Sequence, residues 1–299
     1  MSRALNFIER QVNRQTAASA KAYRKSWLLR AMKRAVDIVA SFFGLLFLSP
    51  FFLYVSLRIK MESPGPIFYR GERVGRYGRT FHILKFRTMY ESPENHNGSR
   101  LTMKNDSRVT PFGAWLRDTK INELPQLWNI LKGEMSLVGP RPEDHQFVAE
   151  WPEDIKTEIL SVRPGITSQA SVIFRDEEDL LAEKSALDDY LRKILPEKLR
   201  LDQLYVRHYN IVGDFDVIFT TLAVLLPGLR RKRIKEDVLF IGPLEKLTGT
   251  YLQWFLADSA VAFIAISFAT LIWRIQAPFD VGFFRLASIA VCLALALAL

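Results

Sequence analysis

Residues 117–142 read Arg-Asp-Thr-Lys-Ile-Asn-Glu-Leu-Pro-Gln-Leu-Trp-Asn-Ile-Leu-Lys-Gly-Glu-Met-Ser-Leu-Val-Gly-Pro-Arg-Pro. Leu127, Ile130 and Leu131 recur at helical spacing, which predicts a short buried helix over 126–132, ended by Gly133. Glu123 stands just before that helix or in its first turn, where free backbone N–H groups point outward. Downstream, Arg141 lies between Pro140 and Pro142, so its guanidinium is presented by a chain with little freedom left to lose. A carboxylate and a preset guanidinium are what a metal-assisted reaction at a phosphate requires.

Outward from this string, charge and hydropathy divide the chain. The net charge is +9 and the mean hydropathy +0.04, with 49% of residues hydrophobic. Residues 1–34 hold Arg3, Arg10, Arg14, Lys21, Arg24, Lys25, Arg30, Lys33 and Arg34 against a single acid, Glu9. A basic arm of this kind fits an anionic membrane surface or a nucleic acid. The apolar run that follows favours the membrane, and the aromatic motifs of RNA-binding modules are absent, so no nucleic-acid partner is expected. The single cysteine, Cys292, excludes an intrachain disulfide and is compatible with a cytosolic setting. The late, long apolar run does not fit a secretory leader.

That run spans 35–57 with Asp37 as its only charge, long enough to cross a bilayer as a helix. Ser49-Pro50 interrupts it, and both flanks are basic (Lys33 and Arg34; Arg58 and Lys60). Proline removes a helical hydrogen bond, and symmetric flanks assign no orientation. A re-entrant helix that breaks at Ser49 and Pro50 and returns to the same face accounts for both features, with Ser49 bonding a freed carbonyl. A kinked transmembrane helix is the plainer alternative. Asp37, one turn after Arg34, is placed to neutralise it.

Residues 67–70 and 80–89 read as two strands of a hairpin around a glycine-bearing loop at 71–78. Strand alternation puts Lys85 and Arg87 on one basic face. Residues 176–207 are highly charged and read as a solvated helical pair around Pro196. Residues 215–226 form a short apolar stretch suited to an interfacial helix. After a basic linker at 230–250, residues 251–273 and 281–299 read as a transmembrane hairpin. It runs to Leu299 without a polar flank, an expectation that the chain continues.

The string from Asn122-Glu123-Leu-Pro-Gln to Gly-Pro-Arg-Pro, together with Lys85-Phe-Arg-Thr-Met89 and the segment 106–113, resembles the bacterial sugar transferases, the monotopic phosphoglycosyl transferases. The resemblance covers about 33–225. It implies an α+β fold: a membrane re-entrant helix-break-helix at 35–59, a small cytosolic α/β catalytic domain (31–229 in all) with interfacial helices, and a basic arm at 1–30. The C-terminal transmembrane hairpin at 251–299 lies outside the usual family core and resembles the membrane anchor of nucleotide-sugar dehydratases fused to some members.

By the same resemblance the reaction passes sugar-1-phosphate from a UDP-sugar to polyprenyl (undecaprenyl) phosphate, with UMP released at the cytoplasmic face of the bacterial inner membrane. Mg²⁺ is the implied cofactor, with Glu123 as its ligand. Glu123 and the position of Asn122 are the implied catalytic pair. Lys85, Arg87, Arg108 and Arg141 are implied at substrate phosphates, and Arg163, Gly165 and Thr167 on the nucleotide or sugar side. A homodimer is also implied, on no surface that the sequence assigns. Two departures matter. The family's usual Asp is Asn122 here, a poor nucleophile, which opens the alternative of an inactive homologue serving as membrane scaffold or regulator. After Arg163-Pro-Gly-Ile-Thr167 the chain has Ser168-Gln-Ala-Ser171 where many members have Gly-Leu-Trp-Gln, so the sugar is not implied. A transporter or channel, a third reading, lacks the repeated spans it would need.

Overall fold

The computed structural model describes residues 27–91, 106–175, 190–225, 239–240, 242–248 and 253–276. The chain divides into two units, Met1–Phe240 and Ile241–Leu299.

In the first unit, helix α1 (Trp27–Glu62) runs continuously through Pro50. The expected interruption is therefore not a gap in the helix. Pro50 cannot donate to Leu46, and Ser49 Oγ takes its place, donating to the Leu46 carbonyl at 2.8 Å. The residues that α1 turns inward are Asp37, Ser41, Val55 and Ile59, whereas Phe42, Phe43, Leu46, Phe47, Leu53 and Leu57 are exposed. α1 thus buries two polar residues beside Val55 and Ile59 and leaves a long apolar face exposed, where an amphipathic helix usually shows polar residues to water. By length and composition α1 is able to cross a membrane.

Strand β1 (Phe68–Val74) pairs antiparallel with β2 (Thr80–Phe86), so that Tyr69 stands opposite Lys85 and Val74 opposite Thr80. β1 extends four residues into the segment read from sequence as a loop. The turn itself is the short 3-10 helix Arg76–Gly78, with Tyr77 and Gly78 at positive φ. Helix α2 (Pro111–Asp118) starts at Thr110, whose hydroxyl accepts from Gly113 N at 2.9 Å. The chain reverses at Lys120 in the left-handed region (φ 58°), makes a 3-10 turn over Ile121–Gln126, and enters α3 (Leu127–Lys132). Strand β3 (Ser136–Val138) pairs in parallel with β4 (Gly165–Thr167). Between them lie α4 (His145–Ala149) and α5 (Glu153–Ile159); α6 (Gln169–Ile173) follows β4. The architecture is thus α+β, mostly helical with two small sheets among the described residues.

A π-helical turn at Tyr190–Ile194 leads into α7 (Leu195–Arg207), and α8 (Ile211–Leu225) follows. The structure corrects the solvated reading of α7: Leu195, Lys198, Leu199, Leu201, Asp202, Tyr205 and Val206 are all buried. Residues 176–189, the rest of that predicted pair, lie outside the described residues. α8 likewise buries Asp214 and Asp216 beside Val217 and Val224 while exposing Phe219 and Leu222.

Both ends of α1 are bonded to this one unit. Lys33 Nζ donates to Val138 O at 3.0 Å and pairs with Asp214 at 2.6 Å. At the other end Glu62 Oε1 accepts from Phe112 N at 2.8 Å. Asp37 does not neutralise Arg34. It accepts from Ser136 Oγ at 3.1 Å and Leu137 N at 3.0 Å, fixing the edge of β3 instead.

In the second unit, α9 (Pro243–Lys246) and α10 (Gln253–Gln276) are described. α10 includes an apolar stretch at Ala257–Ala269. The second arm of the predicted hairpin, 281–299, and residues 1–26 of the predicted basic arm (1–30) lie outside the described residues, whereas 27–30 belong to α1.

Candidate active site

The 3-10 turn before α3 turns Asn122, Glu123 and Gln126 inward, with Glu123 and Asn122 each 9% exposed. Pro125 lies in that turn, two residues ahead of α3, near the helix start where its missing N–H costs least. β2 runs past the turn and delivers Lys85, whose Nζ donates to Glu123 Oε1 at 2.8 Å. Arg141 also donates, through Nη2 to Oε1 at 2.9 Å and through Nη1 to Oε2 at 3.4 Å. Burial alone would raise the Glu123 pKa. The charges of Arg141 and Lys85, and their hydrogen bonds, hold it well below the ordinary carboxylate range. Lys85 is lowered, chiefly by burial and against the pull of Glu123. The carboxylate is therefore ionised throughout the neutral range and already faces two cations.

Asn129 fixes this alignment, and sequence reasoning missed it. It is 2% exposed in the middle of α3. Its Nδ2 donates to His82 O at 2.8 Å and to Glu134 Oε2 at 2.7 Å, and its Oδ1 accepts from Leu84 N at 3.0 Å. The amide thus pairs with one edge of β2 on both sides of Ile83 and sets the register of Lys85, the next residue. The one available signal was an amide within an otherwise apolar helical face.

The carbonyls at the C-terminus of α3 are capped by cations. Arg34 donates to Ile130 O at 2.6 Å and to Leu131 O at 2.9 Å; Arg163 donates to Gly133 O at 2.8 Å. The loop carrying Arg141 is seated on the start of β4. Gly139 N donates to Thr167 O at 3.0 Å, and Gly165 N to Pro140 O at 2.9 Å. The backbones approach so closely that a Cβ on Gly165 would stand 2.2 Å from Gly139 N, and one on Gly139 would stand 2.5 Å from Arg163 O. Thr167 Oγ1 lies 2.7 Å from Thr221 Oγ1 of α8. Of the residues read from sequence as the nucleotide or sugar side, Gly165 and Thr167 hold the Arg141 loop through backbone bonds, and Arg163 caps α3.

Of the predicted phosphate contacts, the structure brings Lys85 and Arg141 together at Glu123. It does not place Arg87 beside them, which corrects the shared-face reading. β2 ends at Phe86, and the Arg87 guanidinium turns to Ser63 O at 2.8 Å, Ser63 Oγ at 3.0 Å and the Pro64 carbonyl. Those acceptors lie where α1 turns into β1, so Arg87 ties down that turn. Arg108 is held by Asp106, with contacts down to 2.6 Å.

Among the described residues, the buried side-chain atoms with no hydrogen-bond partner include Asn122 Oδ1 and Gln126 Nε2 of this turn and Gln169 Oε1 of α6. Buried polar atoms are normally satisfied, so such atoms are ones that a water, an ion or a ligand could complete. Among the described residues no three Asp, Glu, His or Cys side chains converge on one point. Mg²⁺ commonly takes one or two protein oxygens and fills its shell with phosphate and water. Asn122 Oδ1 beside Glu123 fits that donor set.

The family model described as "Bacterial sugar transferase" matches residues 28–228, about two thirds of the chain. The chain belongs to that family. It is 37% identical over 199 residues to a UDP-N-acetylgalactosamine-undecaprenyl-phosphate N-acetylgalactosaminephosphotransferase of Aeromonas hydrophila, covering 66% of this chain and 44% of that protein. It is 38% identical over 195 residues to an undecaprenyl-phosphate glucose phosphotransferase of Komagataeibacter xylinus, covering 64% and 35%. It is 39% identical over 162 residues to a putative undecaprenyl-phosphate N-acetylgalactosaminyl 1-phosphate transferase of Bacillus subtilis, covering 54% and 86%. The matched regions span less than half the length of the first two relatives.

Proposed function

We propose that this chain transfers sugar-1-phosphate from a UDP-sugar to undecaprenyl phosphate and releases UMP. The observation that carries this is Glu123, buried and ionised between Lys85 and Arg141, beside an unpartnered Asn122 oxygen. The relatives named above act on undecaprenyl phosphate, and two of the three names carry N-acetylgalactosamine while the other carries glucose. The scaffold alternative draws no support from these relatives or from a site whose charges are assembled.

In the proposed chemistry the donor's phosphates take up Lys85 and Arg141, which partly releases the Glu123 carboxylate. One carboxylate oxygen attacks the β-phosphorus. The bond from that phosphorus to the bridging oxygen breaks, and UMP departs with the electron pair. The sugar phosphate is then held on Glu123 as an acyl phosphate. A phosphate oxygen of the lipid attacks the same phosphorus, the bond to Glu123 breaks, and the carboxylate is restored. Mg²⁺, held by Asn122 Oδ1 and Glu123, would supply charge neutralisation between donor and acceptor phosphates.

The membrane reading rests on the apolar face that α1 leaves exposed. Phe42, Phe43, Leu46 and Phe47 are exposed on α1, and moving each out of water contributes roughly 1.5–3 kcal/mol. We place α1 as a re-entrant helix, because the bonds of Lys33 and Arg34 at one end and of Glu62 at the other tie both ends to one folded unit. α8 then lies at the interface, and the site opens on the cytoplasmic face, where a soluble donor and a lipid acceptor meet.

The test is a panel of UDP-sugars assayed for UMP release by the purified protein with undecaprenyl phosphate and Mg²⁺. Acceptor-dependent release with at least one donor is expected. No release from any donor would refute the activity.

A further inference from the structure

The tail of the Arg141 loop carries a second charge cluster that the proposed chemistry does not use. Glu143 lies two residues beyond Arg141. Its Oε1 accepts from Lys198 Nζ at 3.0 Å and from Tyr190 Oη at 3.2 Å. Lys198 Nζ also lies 3.3 Å from Tyr190 Oη and 5.1 Å from the centroid of that ring. Lys198 and Asp202, one turn apart on α7, are each 4% exposed. The surroundings are apolar, with Val74, Tyr190, Ile194, Leu195 and Leu199 in one buried cluster. The Glu143 carbonyl is also occupied, accepting from Val74 N at 3.0 Å.

A lysine buried in such surroundings is costly unless it is paired, and a buried carboxylate left without its partner costs more than the pair contributes. Arg141 and Glu143 stand two residues apart on one loop, separated by Pro142. Burial would raise the Glu143 carboxyl, while the charges of Lys198 and Arg141, with the bonds from Lys198 and Tyr190, bring it below its ordinary range. Arg141 is thus bonded to one carboxylate, Glu123, and lies two residues along its own loop from a second, the half-buried Glu143. Only one of them, Glu123, is in the site. A guanidinium drawn to Glu143 would leave Glu123 and the donor phosphates with Lys85 alone. Asp202 does not compete for Lys198 at neutral pH, because burial pushes its carboxyl up to about 8.

We propose that Lys198, with Tyr190, is a positioning residue: it occupies Glu143 and so keeps Arg141 committed to Glu123 and to the phosphates of the donor. Lys198 touches no reacting atom and acts through Arg141. This inference rests on the reading of Arg141 as a phosphate contact.

The claim differs from a plain tether between the loop and α7 in one respect. If Lys198 matters because it covers Glu143, removing both charges restores function. If the pair is a tether, the double variant is as impaired as the single one. The probes are UDP affinity by calorimetry and kcat for UMP release, each with thermal unfolding alongside. Lys198→Met is expected to weaken UDP binding and lower kcat by about tenfold each. The double variant Lys198→Met/Glu143→Gln is expected to return both to within about threefold of wild type, and Lys198→Arg to stay near wild type. Tyr190→Phe, which leaves the ion pair in place, is expected to lower kcat about threefold and to be restored by Glu143→Gln; it carries the test if Lys198→Met does not fold. A double variant still impaired about tenfold while folded overturns the proposal, as does a folded Lys198→Met of unchanged kcat and affinity. Wild-type protein that binds UDP but does not turn over would refute the proposed activity and leave this inference to be read from affinity. Failure of wild type to bind UDP would refute both.

Discussion

Replacing Arg141 by lysine keeps the charge and removes the fork. Arg141 reaches Glu123 Oε1 at 2.9 Å and Oε2 at 3.4 Å, and Lys85 covers Oε1 at 2.8 Å. In the resting protein Arg141→Lys therefore surrenders the longer contact to Oε2, while Oε1 stays satisfied. A hydrogen bond to a charged group contributes roughly 1.5–3 kcal/mol, and a long one falls at the bottom of that range. The expected fall in Tm is a few degrees, since about 1 kcal/mol moves a domain of this size by roughly 2–4 °C. Turnover should suffer more. A lysine presents one point charge where two phosphate oxygens would meet a planar fork. Loss of one charge-assisted bond in the transition state, about 1.4 kcal/mol or more, lowers the rate at least about tenfold. The assay is initial UMP release across donor concentrations, with thermal unfolding on the same samples. A variant with turnover within about twofold of wild type would remove Arg141 from the phosphate site, whatever its Tm.

Further expectations concern the amide, the membrane and pH. Asn122→Asp should retain or raise UMP release, and the gain should appear only with Mg²⁺, because two adjacent carboxylates repel without it; a gain equal with and without Mg²⁺ would contradict the metal assignment. In a Cys292→Ser background, single cysteines near Arg30 and Lys60 should be labelled from the same side of the membrane, and opposite sides would show a true span. Pro50→Ala gives Leu46 back a backbone donor and removes a penalty of about 3 kcal/mol for helix through proline, so it should move some molecules to a spanning form. Asp202 has its pKa raised, chiefly by burial, to about 8. A raised carboxylate binds its proton in the folded state when the unfolded chain has released it, so stability falls as pH rises from about 4 to about 8 and levels off beyond. Asp202→Asn should thus raise Tm, with a gain larger at pH 8 than at pH 5; a gain independent of pH would show that Asp202 is not protonated in the folded protein.

What was legible in the sequence was local. The spacing of Leu127, Ile130 and Leu131 and the stop at Gly133 describe α3 closely, because both rest on helical period and on a left-handed cap at φ 87°. The β1–β2 hairpin was visible from its turn residues, although β1 runs on to Val74. What was not legible depends on partners distant in the chain. Arg87 shares a strand face with Lys85 only while β2 lasts, and its acceptors at Ser63 and Pro64 belong to a turn more than twenty residues earlier. The charges of α7 looked solvated because charge normally marks a wet face, yet Lys198 is buried against Glu143, 55 residues away. Asp37 was assigned to its helical neighbour Arg34, whereas each side chain serves a different element: Asp37 the edge of β3, Arg34 the end of α3. Asn129 was hidden for the same reason, since its partners are backbone groups of β2.

The central claim is that Glu123 carries the chemistry. Its most direct test is UMP release by Glu123→Gln beside wild type, over the same donor panel with undecaprenyl phosphate and Mg²⁺, on protein whose thermal unfolding remains cooperative. The account predicts that release is abolished while the fold is kept. A folded Glu123→Gln that releases UMP at the wild-type rate would contradict it.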